Sequence, residues 1–246
     1  MKLKDKVSII TGGAKGIGAV TCETFAKEGA KVVIGDVDMV SAEALRDKII
    51  ANGGAAFAIR LDVTDKASVK AMVEATLEKY GRIDVLINNA GIIKDNTLQR
   101  MTDDEWSMVI NINLNGTYNC ARAVVDTMVA QGSGVIINAS SIVGLYGNYG
   151  QTNYAATKWA VIGMAKTWSK ELGPKGIRAC AVCPGFIDTP ILAPMPEKVI
   201  DAMIKKVPLR RLGKTEEIAA TYAFLASDEA SYFNGAVLEV SGGVTL

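Results

Sequence analysis

The chain has no histidine at all. Histidine is the side chain that ordinarily titrates near neutral pH. Its absence removes a Ser-His-Asp triad, His-based general acid–base chemistry and His-ligated metals together. Excess charge is lacking too: 27 basic against 26 acidic residues leave a net charge of +1, which gives nucleic acid no electrostatic footprint. No apolar run approaches the roughly 18 residues that span a bilayer. The N-terminal MKLKDKVSIITGG lacks the apolar core and small-residue cleavage site of a secretory leader. The expectation is a cytoplasmic protein with neither nucleic acid nor membrane as partner. Cysteine is limited to Cys22, Cys120, Cys180 and Cys183. Cys180 and Cys183 form a CxxC, but residues three apart on a strand point to opposite faces, and no second CxxC completes a zinc site. No metal is expected. Proline is sparse, and five of the six (Pro184, Pro190, Pro194, Pro196 and Pro208) crowd into one stretch.

What is present is a chain of 246 residues, 49% hydrophobic, enough for one domain with a large core. Apolar, β-branched runs at 7–11, 31–35, 56–61, 84–88, 134–139, 178–183 and 236–240 alternate with helical patterns near 16–28, 39–51, 66–80, 103–131, 152–172 and 215–226. Continuous rather than alternating hydrophobicity marks strands buried on both faces. The pattern predicts an α/β fold: a single doubly wound, Rossmann-like parallel sheet of about seven strands with helices on both faces, spanning 1–246. The proline-rich stretch breaks that rhythm and reads as a substrate lid at about 186–208. Inside it EKVIDAMIKKV is amphipathic, with Val199, Ile200, Met203 and Ile204 on one side, and Phe186, Ile191, Leu192 and Met195 add apolar surface. The alternative is an ordinary connection packed on the body.

Two motifs carry chemistry. TGGAKGIG at 11–18 lies between the first strand and the first helix. Gly12, Gly16 and Gly18 permit a tight turn and close approach of a diphosphate to a helix N-terminus, although the spacing is GxxxGxG and not GxGxxG. Asp36 ends the second strand, where a carboxylate accepts hydrogen bonds from a ribose diol and repels a 2′-phosphate. Lys15 opposes it by attracting that phosphate. The balance predicts NAD(H) over NADP(H) by about 1–3 kcal/mol, with NADP(H) still possible; the alternative for Asp36 is a cap on the helix near 39. Further on, Tyr154 and Lys158 stand one helical turn apart, and Ser141 lies thirteen residues upstream of the tyrosine. A free tyrosine titrates near ~10, and a cation on the same helix face lowers that value, suiting the phenol to proton transfer.

With Asn88-Asn89-Ala90-Gly91 and Pro184-Gly185 added to these motifs in order, the chain resembles the short-chain dehydrogenase/reductase family from about residue 5 to 246. Within it the chain is similar to the 3-oxoacyl-[acyl-carrier-protein] reductase branch, through GNYGQTNYAATKWAVIG, PGFIDTP, PLRRLGKTEEIA, FLASDEASYFNG and VSGG. The resemblance implies an oxidoreductase in which Tyr154 is the general acid or base. It implies that Lys158 binds the nicotinamide ribose and lowers the Tyr154 pKa, that Ser141 holds the substrate oxygen, and that Asn113 holds a water linking Lys158 to solvent. For the cofactor it implies Ile17 with the glycine loop, Asp62 and Val63 at the adenine, Asn89, Ala90 and Gly91 along the cleft, Pro184 and Gly185 after a strand, and Ile187 and Thr189 at the carboxamide and diphosphate end. It also implies a homotetramer paired through the helices near 103–131 and 152–172.

Substrate identity is less determined. The turn QGSG at 131–134 carries no positive charge for an acidic carrier, while Lys175 keeps a second expected basic position. With Asp36, this weighs against dependence on an acyl carrier protein. A reductase of 3-oxoacyl thioesters is the first expectation and an NAD-linked dehydrogenase of small or apolar secondary alcohols the main alternative. A non-catalytic nucleotide sensor and a sugar-nucleotide epimerase are the remaining readings.

Overall fold

The computed structural model describes residues 1–190, 192 and 195–244; Ile191 of the expected lid and Pro194 of the proline cluster lie outside that set. Seven strands form one sheet: β1 (Val7–Thr11), β2 (Lys31–Asp36), β3 (Ala55–Arg60), β4 (Val85–Asn88), β5 (Gly134–Ala139), β6 (Ile177–Pro184) and β7 (Val237–Val240). Their order is β3-β2-β1-β4-β5-β6-β7, and every pairing is parallel. The winding reverses between β1 and β4, the switch point at which such sheets hold ligands beyond their carboxyl ends.

Helices cover both faces: α1 (Gly16–Lys27), α2 (Met39–Ala51), α3 (Lys66–Tyr80), α4 (Asp103–Val109), α5 (Gly116–Gln131), α6 (Ile142–Tyr146), α7 (Thr152–Leu172), α8 (Glu197–Lys206) and α9 (Thr215–Ala226). Alternate strand residues feed two separate cores. Ile10, Ile34, Ile87, Ile137 and Val182 pack with Phe25 of α1, Leu45 of α2 and Tyr222 of α9. Val7, Ile9, Val33, Leu86 and Ile136 pack with Met72 of α3 and Val124 and Met128 of α5. That double burial is why the strands read as unbroken apolar runs. Cys180 and Cys183 fall in cores on opposite sides of the sheet, as the strand spacing requires.

Two elements differ from the sequence expectation. The helix anticipated over 103–131 is divided: a wider π-helical segment at Ile110–Asn115 joins α4 to α5. The extra residue per turn rotates Asn113 inward, where it is 1% exposed. The short α6 was absent from the sequence pattern; its five residues are too few to show a period. No helix among the described residues is long and apolar enough to cross a membrane.

Ile87 is fully buried in β4, flanked by β1 and β5. Ile87→Ala is expected to destabilise the protein by about 2–5 kcal/mol, from lost transfer energy plus the cavity left in a close-packed core. A urea midpoint within error of the unmodified protein would contradict this packing.

Candidate active site

The site forms where six chain segments lie beyond the carboxyl ends of β1 to β6. The first is the glycine loop after β1. Gly12 and Gly16 have φ of +61° and +54°, a region that costs glycine nothing. A Cβ on Gly18 would overlap the Gly12 carbonyl oxygen, so α1 begins as close to the loop as a backbone can come. No side chain caps α1 at Lys15, and its first turn holds no acidic residue. Its orphan N–H groups and positive dipole end are left for an anion. A Cβ on Gly16 would meet only Pro190 Cδ, at 3.9 Å, so open space lies over this helix end. The donors, the dipole and the space fit a dinucleotide diphosphate.

Asn89 secures this loop. Its Nδ2 donates to the carbonyls of Thr11 and Gly12 at 3.1 and 3.0 Å, while the N–H groups of Asn89 and Ala90 both donate to Thr11 Oγ1 at 3.0 Å. Asn89 therefore holds the loop in place.

At the second segment, Asp36 Oδ2 accepts from Ala14 N and Oδ1 from Asp38 N, each at 3.0 Å. Each oxygen keeps acceptor capacity for a ribose diol. The helix-cap alternative for Asp36 is displaced, because Asp38 is the residue that caps α2, accepting from Ser41 N at 3.1 Å. Asp38 also pairs with Lys15 at 2.7 Å, and each holds the other charged: the Asp38 carboxyl is pushed down and the Lys15 ammonium up. The lysine expected to attract a 2′-phosphate is thus already engaged. Arg60, paired with Asp36 in the sheet register, donates to the Val37 carbonyl at 3.2 Å.

After β3, Asp62 Oδ1 accepts from Thr64 N and Oγ1 at 2.9 and 2.7 Å, which draws its pKa down. Val63 is buried against Gly116, and its carbonyl accepts from Asn119 Nδ2 at 3.0 Å. After β6, Gly185 N bonds to Val240 O at 3.0 Å, and Pro184 is paired with Val240 in the sheet. Ile187 is buried and bridged to Gly213. Thr189 lines a cavity of about 320 Å³ with Asp188, Pro190, Leu192, Ile200 and Leu212, between this loop and α8. A second cavity, about 310 Å³ and lined by Lys6, Arg82, Asp84, Arg178 and Asp228 among others, lies at the amino ends of the strands, away from these groups.

Ser141, Tyr154 and Lys158 converge. Ser141 caps α6, its Oγ accepting from Val143 N at 3.1 Å. Lys158 is 5% exposed. Its Nζ donates to the Ala139 carbonyl at 2.7 Å and stands 5.4 Å from the centre of the Tyr154 ring. α6 lies directly on this helix: Ser140 Oγ donates to the Lys158 carbonyl at 2.7 Å, and a Cβ on Gly144 would sit 2.7 Å from the Lys158 carbonyl carbon.

Burial dominates the resting titration of Tyr154 and Lys158. Burial pushes the Tyr154 hydroxyl up to about 12, a hydrogen bond with Ser141 pulls it down, and Asp95 pushes it further up. The Lys158 ammonium is directed to the Ala139 carbonyl and lies over the Tyr154 ring. Burial in turn lowers Lys158 to about 8. Asn113 is buried next to Thr157 of α7. Its amide is engaged at both ends by Ile92, accepting from N at 2.9 Å and donating to O at 3.0 Å. One lone pair of Oδ1 remains, and it borders a gap: the point where Gly91 lacks a Cβ is 3.3 Å from Asn113 Oδ1 and 3.6 Å from Lys158 Nζ.

Sequence reasoning missed Asp38, Asp95, Gln151 and Asn153. Gln151 Nε2 donates to both oxygens of Asp95 at 2.9 Å, and the fully buried Asn153 donates to the Lys94 and Glu105 carbonyls at 3.0 and 3.2 Å. The one available signal was Gln151 standing a helical turn before Tyr154.

A family model described as "Enoyl-(Acyl carrier protein) reductase" matches residues 12–245. The chain is 48% identical to the 3-oxoacyl-[acyl-carrier-protein] reductase FabG of Thermotoga maritima over the whole of both chains. The chain belongs to the short-chain dehydrogenase/reductase family. It is 45% identical to the enzyme of the same description from Chlamydia trachomatis, over 98% of each chain. A solved structure titled "Crystal structure of gox2181" matches at a TM-score of 0.96 and 36% identity, over 98% of this chain and 96% of that one. That of 3-oxoacyl-[acyl-carrier protein] reductase from Brucella melitensis matches at 0.95 and 34%, over 100% and 93%. As a member of this family the protein is an oxidoreductase acting on CH–OH groups with a nicotinamide cofactor.

The Lys158 shift makes a stability prediction. Between about pH 8 and 10.5 the unfolded chain holds a proton on this lysine that the folded chain does not, so stability rises with pH across that window. The rise amounts to on the order of a few kcal/mol. Lys158→Met should flatten it in urea unfolding measured from pH 7.5 to 10; an unchanged slope would contradict a buried, depressed lysine.

Proposed function

We propose that this protein is an NAD(H)-preferring reductase of 3-oxoacyl thioesters that interconverts a ketone and a secondary alcohol. The observation that carries this reading is the convergence of Ser141, Tyr154 and Lys158 at the same end of the sheet as the uncapped N-terminus of α1. The nicotinamide, when bound, supplies or accepts the hydride. Tyr154 gives the substrate oxygen its proton in reduction and takes it in oxidation, while Ser141 Oγ positions that oxygen. A buried tyrosine held near 12 is a proton donor at rest. Lys158 has donors left after Ala139 to hold the ribose and to stabilise the phenolate as it forms. The free lone pair of Asn113 Oδ1 and the gap beside Gly91 suit a water relaying protons from Lys158.

The stretch 186–208 acts as a lid on one domain that spans the chain. Phe186 and Val207, near its two ends, pack with Tyr154, whereas α8 between them has no buried residue. Asp36 and the Lys15–Asp38 pair support NAD(H). Trp106, Met108, Tyr118 and Trp159, exposed on α4, α5 and α7, support a homotetramer joined through those helices, and we place it in the cytoplasm. The relatives described as 3-oxoacyl-[acyl-carrier-protein] reductases support the thioester substrate. The uncharged Gly132-Ser133-Gly134 turn favours a CoA or free substrate over a carrier protein, and with Asp36 it sustains the second reading, an NAD-linked dehydrogenase of secondary alcohols.

Assays of NADH oxidation with 3-oxoacyl-CoA and carrier-linked thioesters, beside NAD reduction with a panel of secondary alcohols, separate the two readings; turnover of no substrate would favour a nucleotide sensor. Tyr154→Phe should bind NADH normally by fluorescence titration yet lose at least about a hundredfold in kcat, and a near-normal rate would refute the proton-transfer role. Asp38→Asn, which keeps a helix cap but frees Lys15, should improve NADPH binding relative to NADH by roughly three- to tenfold. A strong NADPH preference in the unmodified protein would overturn the cofactor reading.

A further inference from the structure

We propose that Asn153 is a positioning residue for the proton transfer. Its side-chain amide fixes the Tyr154 backbone against the segment leaving the cofactor cleft, so the phenol meets the substrate oxygen at one depth. Asn153 is 0% exposed and touches no reactant itself. The proposal rests on the reductase reading above and deepens it.

Both polar atoms of this amide are engaged by backbone. Oδ1 accepts from the Tyr154 N–H at 2.7 Å, and Nδ2 donates to the Lys94 and Glu105 carbonyls at 3.0 and 3.2 Å. The reverse orientation would turn Oδ1 onto two carbonyls and Nδ2 onto an N–H, so only one orientation fits. No side chain caps α7 at Gln151. The Tyr154 N–H lies in the first turn, where donors lack helical partners, and Asn153 supplies the missing acceptor. The Tyr154 carbonyl is held as well, accepting from Thr157 Oγ1 at 2.8 Å.

The two carbonyls give the amide its reach. Lys94 follows Asn89, which holds the glycine loop, and Ile92, which holds Asn113. Glu105 belongs to α4, which runs into the π-helical segment carrying Asn113. One buried side chain thus joins the proton donor to the stretch after the cleft and to the stretch bearing Asn113. Gln151 bonded to Asp95, and Asn96 bonded to Gly150, tie the same helix start a second and third time. Without Asn153 the helix stays attached, but the backbone of Tyr154 loses its own tie. The Tyr154 hydroxyl lies at the far end of the ring, where a backbone tilt has its largest effect. A misplacement of about 1 Å at a reacting group costs up to roughly a hundredfold in rate.

The test uses Asn153→Asp and Asn153→Ser, with NADH and acetoacetyl-CoA. Asn153→Asp keeps an acceptor for the Tyr154 N–H but turns an oxygen onto the two carbonyls. Asn153→Ser buries no charge and is too short to reach them, so it serves should the first variant fail to fold. Turnover is counted per NADH-binding site by fluorescence titration, which removes unfolded protein from the rate. In either variant kcat should fall roughly ten- to hundredfold, while the Kd for NADH and the KM for the thioester stay within about threefold. Proton transfer then limits turnover more, so the solvent deuterium isotope effect on kcat should exceed that of the unmodified protein. A role in stability alone would lower the melting temperature and leave kcat per site unchanged. That result, or a lower kcat with an unchanged isotope effect, overturns the proposal while the reductase reading stands. If the unmodified protein reduces no 3-oxoacyl thioester, the reductase reading fails and this proposal with it.

Discussion

One buried hydroxyl joins the sheet to the site. Thr11 ends β1 at the switch point, 1% exposed, and its Oγ1 donates to the Ile87 carbonyl of β4 while accepting from the N–H groups of Asn89 and Ala90. A hydroxyl has one donor and two acceptor sites, and all are used. This clasp fixes the glycine loop relative to the segment after β4, and Asn89 returns the tie by bonding the Thr11 and Gly12 carbonyls. The nucleotide end and the reacting end of the cleft are thereby held in one frame.

The site is built from polar groups that are costly to bury, and each is satisfied by backbone close at hand. Lys158 has the Ala139 carbonyl, Asn113 has both polar atoms of Ile92, and Asn153 has the carbonyls of Lys94 and Glu105. Burial still determines the resting titration of the pair, raising Tyr154 and lowering Lys158. Two opposite shifts in adjacent groups make the site responsive to a bound ligand, which changes solvent access and hydrogen bonding at both.

Much of the fold was legible because parallel strands covered on both sides must be apolar throughout. The runs at 7–11 and 134–139 match β1 and β5 residue for residue, and the helices over 39–51, 66–80 and 152–172 match α2, α3 and α7. The π-helical turn at Ile110–Asn115 was not legible, since its insertion leaves the surrounding apolar pattern intact and is stabilised by contacts made elsewhere. Ser141, Tyr154 and Lys158 were readable as a spaced set, and the Lys15–Asp38 pair was not. Lys15 and Asp38 are twenty-three positions apart in the chain, and the pairing exists only because β1 and β2 run side by side and end together.

Local spacing by itself determined the residue types of the reaction: a phenol and an ammonium one turn apart, a hydroxyl upstream, and no imidazole to compete with them. Tertiary structure decided what those groups are at rest. It aimed Lys158 at a carbonyl, gave Asn113 to Ile92, placed Asp38 on Lys15 and set Asp95 against Gln151. The reason is physical: covalent spacing fixes which side chains share a helix face, whereas charge and proton affinity depend on burial and on neighbours that the chain brings from distant positions.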